Sequence, residues 1–192
     1  MKLERVLPFS KTLLKMAIEQ GDIAIDATIG NGHDTVYLAE LVGEYGHVYG
    51  FDIQDDAMKA TASRLSENGL SGRVTLFKES HENAAACLPE SAVGNAAAAI
   101  FNLGYLPGGD KEVVTKPQST IHAIEQLFNV MKPGGIIVLV IYHGHPGGKQ
   151  ERDAVLEYVQ QLDQKQAHVL QYQFLNQKNS APFIVAIEKM QG

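Results

Sequence analysis

The stretch Asp26-Ala-Thr-Ile-Gly30-Asn31-Gly32-His33-Asp34 constrains the fold more tightly than any other part of the chain. It follows an apolar run beginning at Ile23 and precedes an amphipathic segment, so it reads as a strand that breaks at two glycines and re-enters as a helix. Glycine allows the backbone to approach a ligand closely, and Asp34 is placed to cap the helix. A strand, a glycine turn and a helix in that order form the opening unit of a doubly wound sheet, in which ligands bind at the carboxyl ends of the strands.

The same rhythm continues downstream. Apolar or β-branched runs at 23–27, 47–52, 73–77, 96–102 and 136–142 predict five parallel strands, with crossover helices over 34–41, 55–67, 118–131 and 151–162. In 118–131, Ile121, Ile124, Leu127, Phe128 and Met131 recur at helical spacing, and Lys132-Pro-Gly-Gly135 ends the helix before strand five. The runs 168–175 and 182–188, joined by the polar turn Asn176-Gln-Lys-Asn-Ser180, predict a C-terminal antiparallel hairpin. The expectation is an α/β, doubly wound, Rossmann-like fold: a seven-stranded, mostly parallel sheet in one domain spanning 1–192.

Composition sets the outer limits. With 192 residues, 45% of them apolar, the chain can build a core without disulfides or metal. A lone cysteine, Cys87, in the run Ala84-Ala-Ala-Cys-Leu88 reads as a packing residue, and 1–20 lacks an apolar stretch long enough for a signal peptide or membrane span. A reducing, cytoplasmic setting without membrane contact is expected. The net charge of −6 means that any nucleic-acid partner must meet a local basic track, for which Lys11, Lys15, Lys78, Lys111, Lys116, Lys149 and Arg152 are candidates.

The glycine loop is not a dinucleotide fingerprint, because Thr35 stands where the third glycine would fall. The carboxylate of Asp26 instead suits a cationic amino group, as at the methionyl end of S-adenosylmethionine. Asp52, closing strand two in Gly50-Phe-Asp52-Ile-Gln54, is placed to accept from both ribose hydroxyls, and Ser80 and His81 follow strand three where an adenine would lie. A plainer reading gives the glycines to a tight turn and Asp52 and Asp55 to helix capping. The order and spacing of the three elements together favour the cofactor, and with it a class I methyltransferase.

Strand four delivers Phe101-Asn102-Leu103-Gly104-Tyr105-Leu106-Pro107-Gly108-Gly109-Asp110-Lys111 to the same edge. It partly matches the Asn/Asp-Pro-Pro-Tyr/Phe signature of amino-methyltransferases, with Leu103-Gly104 in place of the prolines. Asn102 is suited to orient a nitrogen nucleophile through its carbonyl oxygen, and Tyr105 to stack on a base. The loop after strand five, Tyr142-His143-Gly144-His145-Pro146-Gly147-Gly148-Lys149, should face the same cleft, with Tyr142 against the base. Asp110, His143 and His145 are candidate proton acceptors, bulk water being the alternative. The paired histidines lack a third ligand, so no metal is expected.

With these motifs in hand, the whole chain resembles the bacterial YtqB-like family of rRNA methylases, whose members are associated with MnmM-type tRNA methylation. The resemblance rests on 26–35, 51–54, 101–111 and 142–148, and extends to Ile187-Glu-Lys189. It implies transfer of a methyl group from S-adenosylmethionine to the 5-aminomethyl group of a wobble (2-thio)uridine, leaving S-adenosylhomocysteine, with a tRNA anticodon loop as partner and a homodimer as one arrangement for docking it. It assigns Asp26, Asn31, Asp34, Asp52, Gln54, Ser80 and His81 to the cofactor, together with Gly30 and Gly32. Asn102, Tyr105, Asp110, Tyr142 and His143 become the catalytic candidates, Asn102 standing at the cofactor as well.

Overall fold

The computed structural model describes residues 2–104, 108 and 114–191. Its strands are β1 (Ile23–Asp26), β2 (His47–Phe51), β3 (Val74–Phe77), β4 (Ala96–Leu103), β5 (Met131–Ile141), β6 (Ala167–Tyr172) and β7 (Phe183–Lys189). They form one seven-stranded sheet in the order β3-β2-β1-β4-β5-β7-β6. The first five are parallel, and β7 inserts between β5 and β6, antiparallel to both. The expected hairpin is therefore present, with its second strand inside the sheet.

Helices α1 (Val6–Ala17), α2 (His33–Val42) and α3 (Asp55–Glu67) cover one face, and α4 (Ala84–Cys87), α5 (Pro117–Val130) and α6 (Gly148–Gln160) the other. β4 shows why a two-sided sheet results. Ala99, Phe101 and Leu103 point into the α5 and α6 core, whereas Ala98 and Ile100 point into the α1 and α2 core, all of them fully buried. Four consecutive alanines, good helix formers in isolation, become strand here because their small side chains let helices approach from both sides. Each large core side chain such as Phe101 or Leu127 contributes about 1.5–3 kcal/mol through burial.

Several boundaries differ from expectation. α1 was not anticipated; its stripe of Val6, Ser10, Leu13 and Leu14 is buried on the sheet. α5 ends at Val130, and β5 starts at Met131 rather than at 136. Met131 pairs with Ala96 and Ile136 with Ala98, so 132–135 bulge out of the ladder, with Gly134 at φ 77° supplying the turn. β6 stops at Tyr172, whose ring stacks on Phe9 at 4.0 Å and whose hydroxyl donates to the Glu4 carbonyl. Cys87, expected to be buried, is half-exposed on α4.

The chain runs outward from β1 through β2 to β3, then returns to place β4 on the other side of β1. This reversal opens a crevice at the carboxyl ends of β1 and β4. Two bonds close its base: Ala27 N donates to the Ile100 carbonyl at 2.9 Å, and Asn102 N donates to Thr28 Oγ1 at 2.7 Å.

Candidate active site

A cleft of about 600 Å³ occupies this crevice, with Gly30, Asp52, Gln54, His81 and Asn102 among its lining residues. Asp52 organises one end. Its Oδ2 accepts from Gly30 N at 3.1 Å and its Oδ1 from Gln54 N at 3.0 Å, so the carboxylate ties the glycine turn to the end of β2. Each oxygen keeps a further lone pair, the acceptor pattern that a ribose diol requires. Beyond it, Ser80 Oγ accepts from Glu82 N at 3.4 Å, and the ring of His81 stands edge-on to Phe101 at 5.8 Å. Burial pushes the His81 imidazole below its usual range, which keeps it neutral. Its buried Nε2 has no partner among the described residues, leaving a polar atom at the cleft for a heteroaromatic ring to meet. An adenosine fits this set of groups.

The glycine turn is backed by α3. Thr61 Oγ1 donates to the Gly30 carbonyl at 3.1 Å, and Arg64 Nε to the Asn31 carbonyl at 2.8 Å. Gly32, at φ 78°, sits so close to α3 that a Cβ would lie 2.9 Å from Thr61 Cα. Gly32 thus serves helix packing, and the Asn31 carbonyl faces α3; neither is part of the cleft lining.

Asp26 departs from its expected role as a direct contact. It is fully buried beneath the turn, where Thr35 Oγ1 donates to Oδ2 at 2.7 Å and Thr28 N to Oδ1 at 3.2 Å. Burial and the nearby Asp34 carboxylate push its pKa up to about 7, against the lowering effect of the Thr35 and Thr28 hydrogen bonds. Thr35 therefore explains the missing third glycine: its hydroxyl satisfies the buried acid. Asp34 is not the helix cap either. α2 is capped by Gly32 in a left-handed conformation, and Asp34 Oδ2 instead accepts from Asn102 Nδ2 at 2.9 Å.

The last contact fixes the side chain at the carboxyl end of β4. An aspartate only accepts, so it fixes the Asn102 amide with its NH2 towards Asp34. The backbone of the same residue is held by Thr28. Tyr142 stands beside this pair: its N donates to the Leu103 carbonyl at 3.0 Å, and a Cβ on Gly104 would meet Tyr142 Cβ at 3.3 Å. Burial, together with the Asp34 charge, raises the Tyr142 phenol above its ordinary range. His143, by contrast, turns away. It is 8% exposed, packs edge-on to Phe183, donates from Nε2 to the Ala181 carbonyl at 3.1 Å and keeps a buried Nδ1 with no partner among the described residues, outside the cleft lining. His145 sets its ring nitrogens against the carbonyls of Tyr142 and Pro146, which shapes the loop. Tyr105 and Asp110 lie outside the described residues.

Of the candidate basic track, Lys116 lines the cleft. Lys78 pairs with Asp55, Arg152 with Asp153, and Lys11 lies over the Tyr37 ring. Lys111 lies outside the described residues. The supporting threonines, Thr28, Thr35 and Thr115, were missed from sequence; the one signal was Thr35 in a glycine's place. No helix of the described residues is long and apolar enough to cross a membrane.

Comparison with known proteins agrees with this geometry. Residues 48–188 match the family described as "Putative rRNA methylase". A chloroplastic tRNA (mnm(5)s(2)U34)-methyltransferase from Arabidopsis thaliana is 38% identical over 186 residues, covering 93% of this chain and 67% of that protein. A crystal structure from Clostridium thermocellum, described as a "putative rRNA-methylase", superposes with a TM-score of 0.95 at 42% identity, covering 99% of this chain and 100% of the other. A "putative methyltransferase" from Streptococcus mutans, solved in complex with SAH, gives 0.88 at 38% identity over 98% and 99% of the two chains. The chain belongs to the rRNA methylase family and is an S-adenosylmethionine-dependent class I methyltransferase.

Proposed function

We propose that the protein, with 1–192 acting as one catalytic unit in the cytoplasm, methylates the 5-aminomethyl nitrogen of wobble (2-thio)uridine in tRNA to give the 5-methylaminomethyl nucleoside. The observation that carries this reading is the fixed Asn102 amide: with Nδ2 given to Asp34, Oδ1 is left to accept an N–H of an incoming amine at the edge of the cofactor cleft. The Arabidopsis relative, named for the same modified nucleoside, supports the choice of acceptor.

Bound S-adenosylmethionine supplies a methyl group already activated on a sulfonium, so no metal or covalent intermediate is required. The chain's task is alignment. Asn102 Oδ1 directs the amine lone pair, Tyr142 supplies a neutral phenol beside it, and Asp52, Gln54 and His81 hold the nucleoside end. The amine loses its first proton to water before entry and the second after transfer. An anticodon loop docks over the ends of β4 and β5, with Lys116 available to a phosphate.

Nucleoside mass spectrometry of tRNA lacking the final methyl group, incubated with the protein and S-adenosylmethionine, tests the proposal. Conversion of 5-aminomethyluridine to 5-methylaminomethyluridine is expected. An unchanged nucleoside profile alongside intact cofactor binding would overturn it and redirect attention to rRNA or small amines.

A further inference from the structure

Glu151 lies in the first turns of α6 and is 1% exposed, yet no cation pairs with it among the described residues. A buried carboxylate is costly unless hydrogen-bond donors reach both of its oxygens. One threonine reaches each oxygen. Thr115 Oγ1 donates to Oε2 and Thr120 Oγ1 to Oε1, both at 2.7 Å. Thr115 Oγ1 in turn accepts from Gly104 N at 3.1 Å, and Thr115 N donates back to the Gly104 carbonyl at 3.1 Å.

The result is a directed chain, Gly104 N–H to Thr115 O–H to Glu151, in which each bond polarises the next. Its ends are informative. Gly104, Thr115, Lys116, Gln118 and Ser119 all line the cleft, and Gly104 lies two residues beyond Asn102. α6 itself begins after the loop that carries Tyr142. One carboxylate on α6 therefore ties down the cleft wall at 115–119 and, through Thr115, Gly104 at the end of β4, without lining the cleft itself.

We propose that Glu151 is a positioning residue for the methyl acceptor: through Thr115 and Thr120 it sets where the 115–119 wall stands relative to Asn102. The inference rests on the acceptor entering at that end, as in the proposed function. Glu151→Gln keeps the shape but reverses one of the two links, because the amide offers one acceptor oxygen where the carboxylate offers two, so one threonine hydroxyl must accept from its NH2 instead of donating.

The test uses the full chain and undermethylated tRNA. Glu151→Gln and Thr115→Val are each expected to lower kcat/KM by about tenfold to a hundredfold, mostly in kcat, because a displacement of about 1 Å at a reacting centre costs up to about a hundredfold in rate. Affinity for S-adenosylhomocysteine should change by less than about threefold. The double variant should be no worse than the poorer single one, and Thr115→Ser should recover activity that Thr115→Val loses. Unchanged turnover in a folded Glu151→Gln protein, losses that add, or cofactor affinity falling in step with turnover would each overturn the proposal. Should the wild-type protein not methylate tRNA, the function fails and Glu151 is judged on amide hydrogen exchange alone. Faster exchange at Gly104 and Thr115, with Gly30 and Gln54 unchanged, supports the tie; equal exchange at all four refutes it.

Discussion

Asn102 and Asp34 are 68 residues apart in the chain and meet at 2.9 Å, the amide Nδ2 donating to the carboxylate Oδ2. The contact spans the crevice between β4 and α2 and decides which face of the amide looks into the cleft. Removing the amide in Asn102→Ala should lower the single-turnover rate about a hundredfold, the scale of losing one oriented polar group at a reacting centre. Asp34→Ala, which frees the amide to rotate, should fall between that variant and wild type. Equal rates in all three proteins would remove Asn102 from the chemistry.

Asp52 holds two backbone amides and lines the cleft, so it couples local order to binding. Calorimetric titration of Asp52→Ala should show S-adenosylmethionine affinity reduced about tenfold to a hundredfold, the cost of losing hydrogen bonds to a charged acceptor. Unaltered affinity would argue against the nucleoside assignment.

Asp26 gives a stability signature. Its folded pKa of about 7 lies above the ordinary 3.8, so its contribution is fully present below the unfolded value and is lost as pH rises through 7. At one pKa unit per 1.36 kcal/mol, the loss is on the order of 4 kcal/mol. Urea unfolding of the cofactor-free protein should show it weaker at pH 8 than at pH 5, and Asp26→Asn should flatten that slope. A slope that persists in Asp26→Asn would assign the effect to another group.

Gly32 combines a positive φ with contact to α3. Gly32→Ala should cost about 1–3 kcal/mol, from backbone strain and the clash with Thr61 Cα, and should weaken cofactor binding by tilting the turn. A melting temperature matching wild type would show that α3 can move aside.

The doubly wound core was legible because strand runs and helical stripes leave a periodic trace, and Asp52 because it closes a strand at the expected edge. What escaped depended on contacts between distant segments. Asp26 and Asp34 look alike in the glycine motif, yet one is buried beneath two threonines and the other reaches across to Asn102. His143 and Tyr142 are adjacent, but successive side chains leave the end of β5 in different directions, so one stands near Asp34 and the other packs on Phe183. α1 was overlooked because its buried stripe has meaning only once the sheet exists.

The insertion of β7 between β5 and β6 also orders assembly. As the chain emerges from the ribosome, β6 has no neighbour to bond until the later β7 has been made and threaded against β5. Losing β7 would strip two strands from the sheet rather than one, and expose the β5 ladder as an open edge prone to pairing with other chains. Residues far from the chemistry in sequence thus decide whether a nascent chain becomes an enzyme or an aggregate.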